Sequence, residues 1–143
     1  MCDSLILAVP LASDLGRLAL ALRAEVFIVE QNVPETVERD EYDPAAVHVV
    51  ALQNGDVAGV LRIVFLPEHA KIGRVAVAAN ARGRGIATAM MHFAMALARA
   101  RGETKFYLTS QTDKVGLYEK IGFTVFGEEF EDGGMPHLAM KNY

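Results

Sequence analysis

Midway along the chain, Arg82-Gly83-Arg84-Gly85-Ile86-Ala87 joins a predicted strand, Ile72 to Val77, to a stretch of helical periodicity that starts near Gly85. A strand that feeds a helix through a glycine turn limits both the fold and the ligand. The first amide N–H groups of a helix have no internal partner, and the macrodipole adds partial positive charge there, so such a turn is an anion site. Gly83 and Gly85 let a phosphate approach the backbone without a Cβ in the way. Arg82 and Arg84 add charge-assisted donors. The junction predicts a phosphorylated ligand.

The elements on either side narrow the fold further. Leu5 to Val9 reads as a strand ended by Pro10. Ser13 is a good N-cap for a helix in which Leu15, Leu18, Leu22, Val26 and Val29 share one face. Gln31 to Ala46 is a long acidic loop, with room for a helical turn, and loops of that length are often functional. Val47 to Leu52 and Val57 to Phe65 flank Asn54-Gly55, a hairpin signal. Lys71 to Val77 is the next strand. Gly85 to Arg101 is a helix with Ile86, Met90, Phe93, Leu97 and Ala100 on one side and Gly102 past its end. Phe106 to Thr109 is a strand, Asp113 caps a short helix through Ile121, and Phe123 to Phe130 with His137 to Lys141 form a last hairpin around Asp132-Gly133-Gly134. The predicted order is β-α-β-β-β-α-β-α-β-β, with no linker or repeat to divide residues 1–143 into more than one domain.

Composition excludes several classes. At 143 residues and 52% hydrophobic, the chain can bury a core. A net charge of −4 argues against a general nucleic-acid binder. The lone Cys2 excludes an intrachain disulfide framework and any cysteine zinc cluster. His69, His92 and His137 lack metal-ligand spacing, so no metal is expected. The start of the chain has no basic n-region, and no apolar run reaches the roughly 18–20 residues of a membrane span. A soluble, cytoplasmic protein with no membrane partner is expected, and a homodimer is expected from base rate alone.

Three phosphate sites compete for the glycine turn. A P-loop needs Lys-Ser/Thr after its last glycine, where this chain has Ile86-Ala87. A dinucleotide fingerprint needs Gly or Ala where Thr88 stands, and an acidic end to the next strand, which instead reads Thr109-Ser110-Gln111. The third pattern is Arg/Gln-x-x-Gly-x-Gly/Ala after a strand and opening a helix. It resembles motif A of the GNAT superfamily of acyl-CoA-dependent N-acetyltransferases. Leu117-Tyr118-Glu119-Lys120-Ile121-Gly122-Phe123, after Leu108 to Gln111, is similar to that family's motif B. Glu25 to Gln31, Asp40-Glu41-Tyr42-Asp43 and His48 resemble the ElaA-like (YjcF-like) branch.

The resemblance implies an α+β GNAT fold, a mixed and mostly antiparallel sheet flanked by helices, and transfer of an acetyl group from acetyl-CoA to a primary amine of a small molecule or peptide. It implies that Arg84, Gly85, Ile86, Ala87 and Thr88 hold the coenzyme A pyrophosphate through their amides, with Arg82 and Gly83 beside them. It also implies that Val75, Ala76 and Val77 splay from the neighbouring strand and pair with the pantetheine amides as an added strand would. Tyr118 stands where the family places its general acid; by itself it reads equally as a core aromatic. Gln111, where many relatives have Asn, either bonds the pantetheine arm or caps the turn. The base is less determined: Glu30, Glu41, Asp43 and His48 all lie in or beside the acidic segment, and Glu30 is preferred because it ends the helix leading into that segment. The acidic segment itself points to a cationic acceptor. Arg62 either faces the acceptor or pairs with a carboxylate, and Met90, Met91 and Met95 are core filler. The alternative to an enzyme is a non-catalytic CoA-binding sensor or interaction module, against which Tyr118 argues.

Overall fold

A computed structural model of the protein describes residues 4–143; Cys2 lies outside them. β1 (Leu5–Val9) leads through Pro10 to α1 (Asp14–Arg23), where the Ser13 hydroxyl accepts the Gly16 N–H at 3.0 Å as its cap. α1 runs on into a π-helical segment, Ala24–Glu30. A short α2 (Glu35–Glu38) lies in the acidic segment. The remaining elements are β2 (Val47–Gln53), β3 (Asp56–Phe65), β4 (Ala70–Val77), α3 (Ile86–Ala100), β5 (Phe106–Gln111), α4 (Val115–Glu119), β6 (Thr124–Asp132) and β7 (Met135–Lys141).

The seven strands form one sheet in the order β1-β2-β3-β4-β5-β7-β6. Every neighbouring pair is antiparallel except β4–β5. Asn54 and Gly55 both take positive φ, as do Gly133 and Gly134, so both hairpins turn on two left-handed residues whose twist matches that of the strands. β3 is apolar along most of its length because both of its faces are covered. α3 packs on one face, where Ile86, Met90, Met91, Ala94 and Met95 meet Val49, Leu61, Ile63 and Ile72. α1 and the π-helical segment pack on the other, where Ala19 and Leu22 of the first and Val26 of the second meet Val50, Val60 and Ala76. Gly59 sets the spacing on the α3 side: a Cβ there would lie 2.9 Å from atoms of both Ile86 and Met90.

Three local expectations change. Leu18 and Val29 are exposed, at 50% and 75%. Small Ala19 takes the place against the sheet, and the wider π turns rotate Val29 away while bringing Phe27 in. On α3 the buried stripe runs through Ala94 and Ala98, and Ala100 is exposed. Asp113 is no cap; it lies in a 3-10 turn, Thr112–Lys114, that precedes α4.

Candidate active site

The site begins where the sheet fails to close. β4 and β5 pair only at Ala70↔Phe106 and Lys71↔Tyr107. Beyond Lys71 the β5-facing edge of β4 has no strand partner, and a cleft of about 450 Å³ opens there. Val75, Ala76 and Val77 line it from one side, and Leu108 to Gln111 from the other. β4 carries an extra residue opposite β3 between the pairs Val60↔Ala76 and Arg62↔Gly73. At that bulge Arg74 takes φ 53°, a left-handed conformation rare for a residue with a Cβ. Its guanidinium holds it there, donating to the carbonyls of Glu38 at 2.9 Å and Val37 at 3.1 Å.

The glycine turn closes one end of the cleft. Gly85 has φ 80° and immediately precedes α3. Ala89 N–H bonds Gly85 C=O at 3.0 Å, and the N–H groups of Ile86, Ala87 and Thr88 before it have no intrahelical acceptor. Gly83, Gly85, Ile86, Ala87 and Thr88 all line the cleft. A Cβ on Gly83 or Gly85 would meet no protein atom within 4 Å, so both positions need glycine for their positive φ and not for room. The two arginines behave differently from expectation. Arg84 does not line the cleft; its Nη1 reaches back to Gln53 Oε1 at 3.4 Å. Arg82 lines it, but its donors are taken by protein groups: Nε by the Val77 carbonyl at 3.0 Å, Nη1 and Nη2 by the two Glu30 oxygens at 2.9 and 2.8 Å.

Tyr118 lies across the cleft from β4, on α4. Its side chain is 6% exposed, its ring stands edge-on to Phe123 with centroids 6.4 Å apart, and among the described residues no protein group hydrogen-bonds its hydroxyl. Burial pushes its pKa up to about 12, so the phenol keeps its proton at neutral pH. Gln111 Nε2 donates to Gln31 Oε1 at 2.9 Å, tying β5 to the segment after the π-helix. Of the four base candidates only Glu30 lines the cleft. The hydrogen bonds from Arg82 lower its pKa, which makes it a weaker base. The backbone carbonyl of Asp43 lies 2.8 Å from His48 Nε2, and the Asp43 carboxylate is buried among arginines.

The acidic segment is not an open anionic surface. Arg23, 2% exposed, donates to Glu38 Oε2 at 2.8 Å and to Asp43 Oδ1 at 2.8 Å. Arg62 donates to Asp40 at 2.6 and 2.7 Å and to Asp43 at 2.9 Å. Arg74 closes the group on Asp40 at 3.1 Å. Burial disfavours the Asp43 charge, but the hydrogen bonds from Arg23 and Arg62 outweigh it and hold its carboxyl well below the usual range. Arg74 is held less firmly: burial and repulsion from Arg62 lower its pKa despite its carboxylate partners. Glu38, Asp40 and Asp43 are therefore neutralised by three arginines, and the expectation that this segment draws in a cationic acceptor is withdrawn. Arg62 is a network member.

Sequence reasoning missed Lys71 and Glu38 as cleft residues. The signal for Lys71 was strand alternation: it precedes buried Ile72 and so faces the opposite side of β4. Nothing local marked Glu38. Its Oε1 is the one buried side-chain oxygen or nitrogen among the described residues without a hydrogen-bond partner.

A split parallel strand pair with a glycine turn at its mouth is the arrangement of an acyl-CoA N-acyltransferase, and the comparisons agree. The acetyltransferase (GNAT) domain family matches residues 11–143, and the chain belongs to that family. It is 35% identical over 123 residues to the uncharacterised N-acetyltransferase YjcF of Bacillus subtilis, covering 85% of this chain and 88% of that protein. An acyl-CoA N-acyltransferase from Pseudomonas aeruginosa superposes with a TM-score of 0.85 at 29% identity, over 99% of this chain and 100% of the other. Escherichia coli ElaA superposes with a TM-score of 0.84 at 26% identity over the full length of both chains. Among the described residues no helix is long and apolar enough to cross a membrane.

Proposed function

We propose that the protein transfers an acetyl group from acetyl-CoA to the primary amine of a small molecule or peptide. The observation that carries this reading is the continuity of the cleft: unpaired β4 edge, unpartnered α3 N–H groups and the Tyr118 side chain all line one cavity. Coenzyme A bound there presents its pyrophosphate to the amides of Gly85, Ile86, Ala87 and Thr88, with Gly83 beneath. Its pantetheine amides pair with the free edge of Val75, Ala76 and Val77. With the pyrophosphate at the turn that follows Val77, the pantetheine arm would run back along the unpaired β4 edge and bring the thioester toward the Lys71 end of the split, where a free β4 backbone N–H would polarise its carbonyl.

The acceptor amine, neutral, attacks the thioester carbon. The C–S bond breaks as the C–N bond forms, and the sulfur leaves with the electron pair. Tyr118 gives its proton to that sulfur and regains one from solvent. A phenol near 12 is a reluctant donor to a thiolate whose thiol titrates near ~8.5 in water. Glu30 is a poor base while Arg82 holds it. The amine proton then leaves through water to bulk solvent, with no dedicated base.

The test is acceptor-dependent thiol release from acetyl-CoA, with the product identified by mass. Calorimetric binding of acetyl-CoA with no release against any amine pool leaves a sensor; no binding at all removes the cofactor reading.

A further inference from the structure

We propose that the acceptor carries a carboxylate beside its amine, as an amino acid does, and that Lys71 holds it. This rests on the acetyltransfer reading above.

Lys71 is the last β4 residue paired with β5, so it stands where the split begins, and its side chain lines the cleft. It lies six residues along β4 from Val77, roughly 20 Å from the anion turn at the strand's other end. Among the described residues no carboxylate forms an ion pair with its ammonium, which lies 5.8 Å from the centroid of the Tyr107 ring. A partly buried ammonium without a partner is costly, and a bound anion relieves that cost. The charges that act on it are Arg62 and Arg74 on one side of the balance and Asp132 and Asp40 on the other. Burial is the largest influence on Lys71, and the two arginines come next, ahead of both carboxylates. An incoming carboxylate would offset both the burial of the ammonium and its repulsion by the two arginines.

An acceptor with a carboxylate supplies the anion that Lys71 lacks, whereas a polyamine meets repulsion from Lys71.

The test compares three acceptor pools with acetyl-CoA: amino acids, the same amino acids as carboxamides, and polyamines. Amino acids should exceed carboxamides by about tenfold or more in kcat/KM, the scale of a charge-assisted hydrogen bond. Lys71→Met should raise KM for amino acids and erase that preference, with calorimetric acetyl-CoA affinity unchanged; Lys71→Arg should keep part of it. The wild-type ratio stands alone even if Lys71→Met does not fold. Carboxamides or polyamines used as well as amino acids, or a preference that survives in Lys71→Met, overturns the carboxylate site and leaves acetyltransfer standing. Wild-type protein that binds acetyl-CoA and acetylates none of these pools overturns the carboxylate site; if it also acetylates no peptide or other small-molecule amine, it overturns acetyltransfer as well.

Discussion

Arg82 grips both carboxylate oxygens of Glu30, 52 positions away in sequence, at 2.8 and 2.9 Å, and so ties the turn before α3 to the end of the π-helix. Both side chains are more than 40% exposed, and water screens pairs of that kind strongly. Glu30→Gln should therefore barely move the melting midpoint. With Arg82 freed, acetyl-CoA should bind as tightly or more tightly by calorimetry. Turnover should fall less than about tenfold, since a carboxylate already engaged supplies little general-base catalysis. A fall of a hundredfold, with loss of the acidic limb of the pH profile, would instead make Glu30 the principal base.

Tyr118→Phe should lower kcat by about a hundredfold, the low end of general acid catalysis, and leave acetyl-CoA affinity intact. The sign of the pH effect follows from burial. A phenol pushed up to about 12 remains protonated through the alkaline range, so kcat should rise as the amine deprotonates and show no descending limb below about pH 10. A descending limb centred at pH 8 to 9 would remove Tyr118 as the acid.

Gly85→Val places a branched side chain at φ 80°, where an L-residue costs about 1–2 kcal/mol, and in the path of the phosphate. Gly102→Ala is the control, since Gly102 also has positive φ (95°) but follows α3 outside the cleft. Both variants should lose stability in denaturant titrations; only Gly85→Val should lose acetyl-CoA binding. Equal affinity in the two would contradict the phosphate turn.

Arg23→Met leaves Glu38 and Asp43 buried without their main partner. Breaking a buried ion pair in this way costs about 3–5 kcal/mol, readable by chemical denaturation. A loss under 1 kcal/mol would show the network to be dispensable. Acid acts on the same group. Asp43 titrates lower in the folded chain than in the unfolded one, so its contribution is present above the ordinary carboxylate pKa of about 3.9 and fades as pH falls below it toward the folded value. Wild-type stability should drop below about pH 4, and Asp43→Asn should flatten that drop.

The fold was legible because its signals are local. Asn54-Gly55, Gly133-Gly134 and Gly85 mark turns whose φ values only a few residues adopt, and the order of strands and helices follows from those marks. The cleft was legible where backbone makes it, at Gly85 to Thr88 and along Val75 to Val77, since amides do not depend on side-chain identity. Side-chain pairing was not. Arg23 meets Glu38 and Asp43 across 15 and 20 residues, and Arg82 meets Glu30 across 52, distances over which no periodicity speaks. A run of carboxylates looks the same in sequence whether it faces water or a set of arginines. The helix face failed at Val29 for a related reason, because a π turn changes the period that the pattern assumes.

β6 is the outermost strand of the sheet and is exposed along nearly all of its length. Glu128, Glu129, Glu131 and Asp132 crowd it with negative charge, and the pairing with β7 breaks register between Phe126 and Phe130 around Gly127, whose φ is 75°. A second copy laid edge to edge would bring acid against acid along a bent strand. The molecule thus carries its own deterrent against sheet-to-sheet aggregation, and neutralising those carboxylates by acid is the condition under which fibrous or precipitated material should first form.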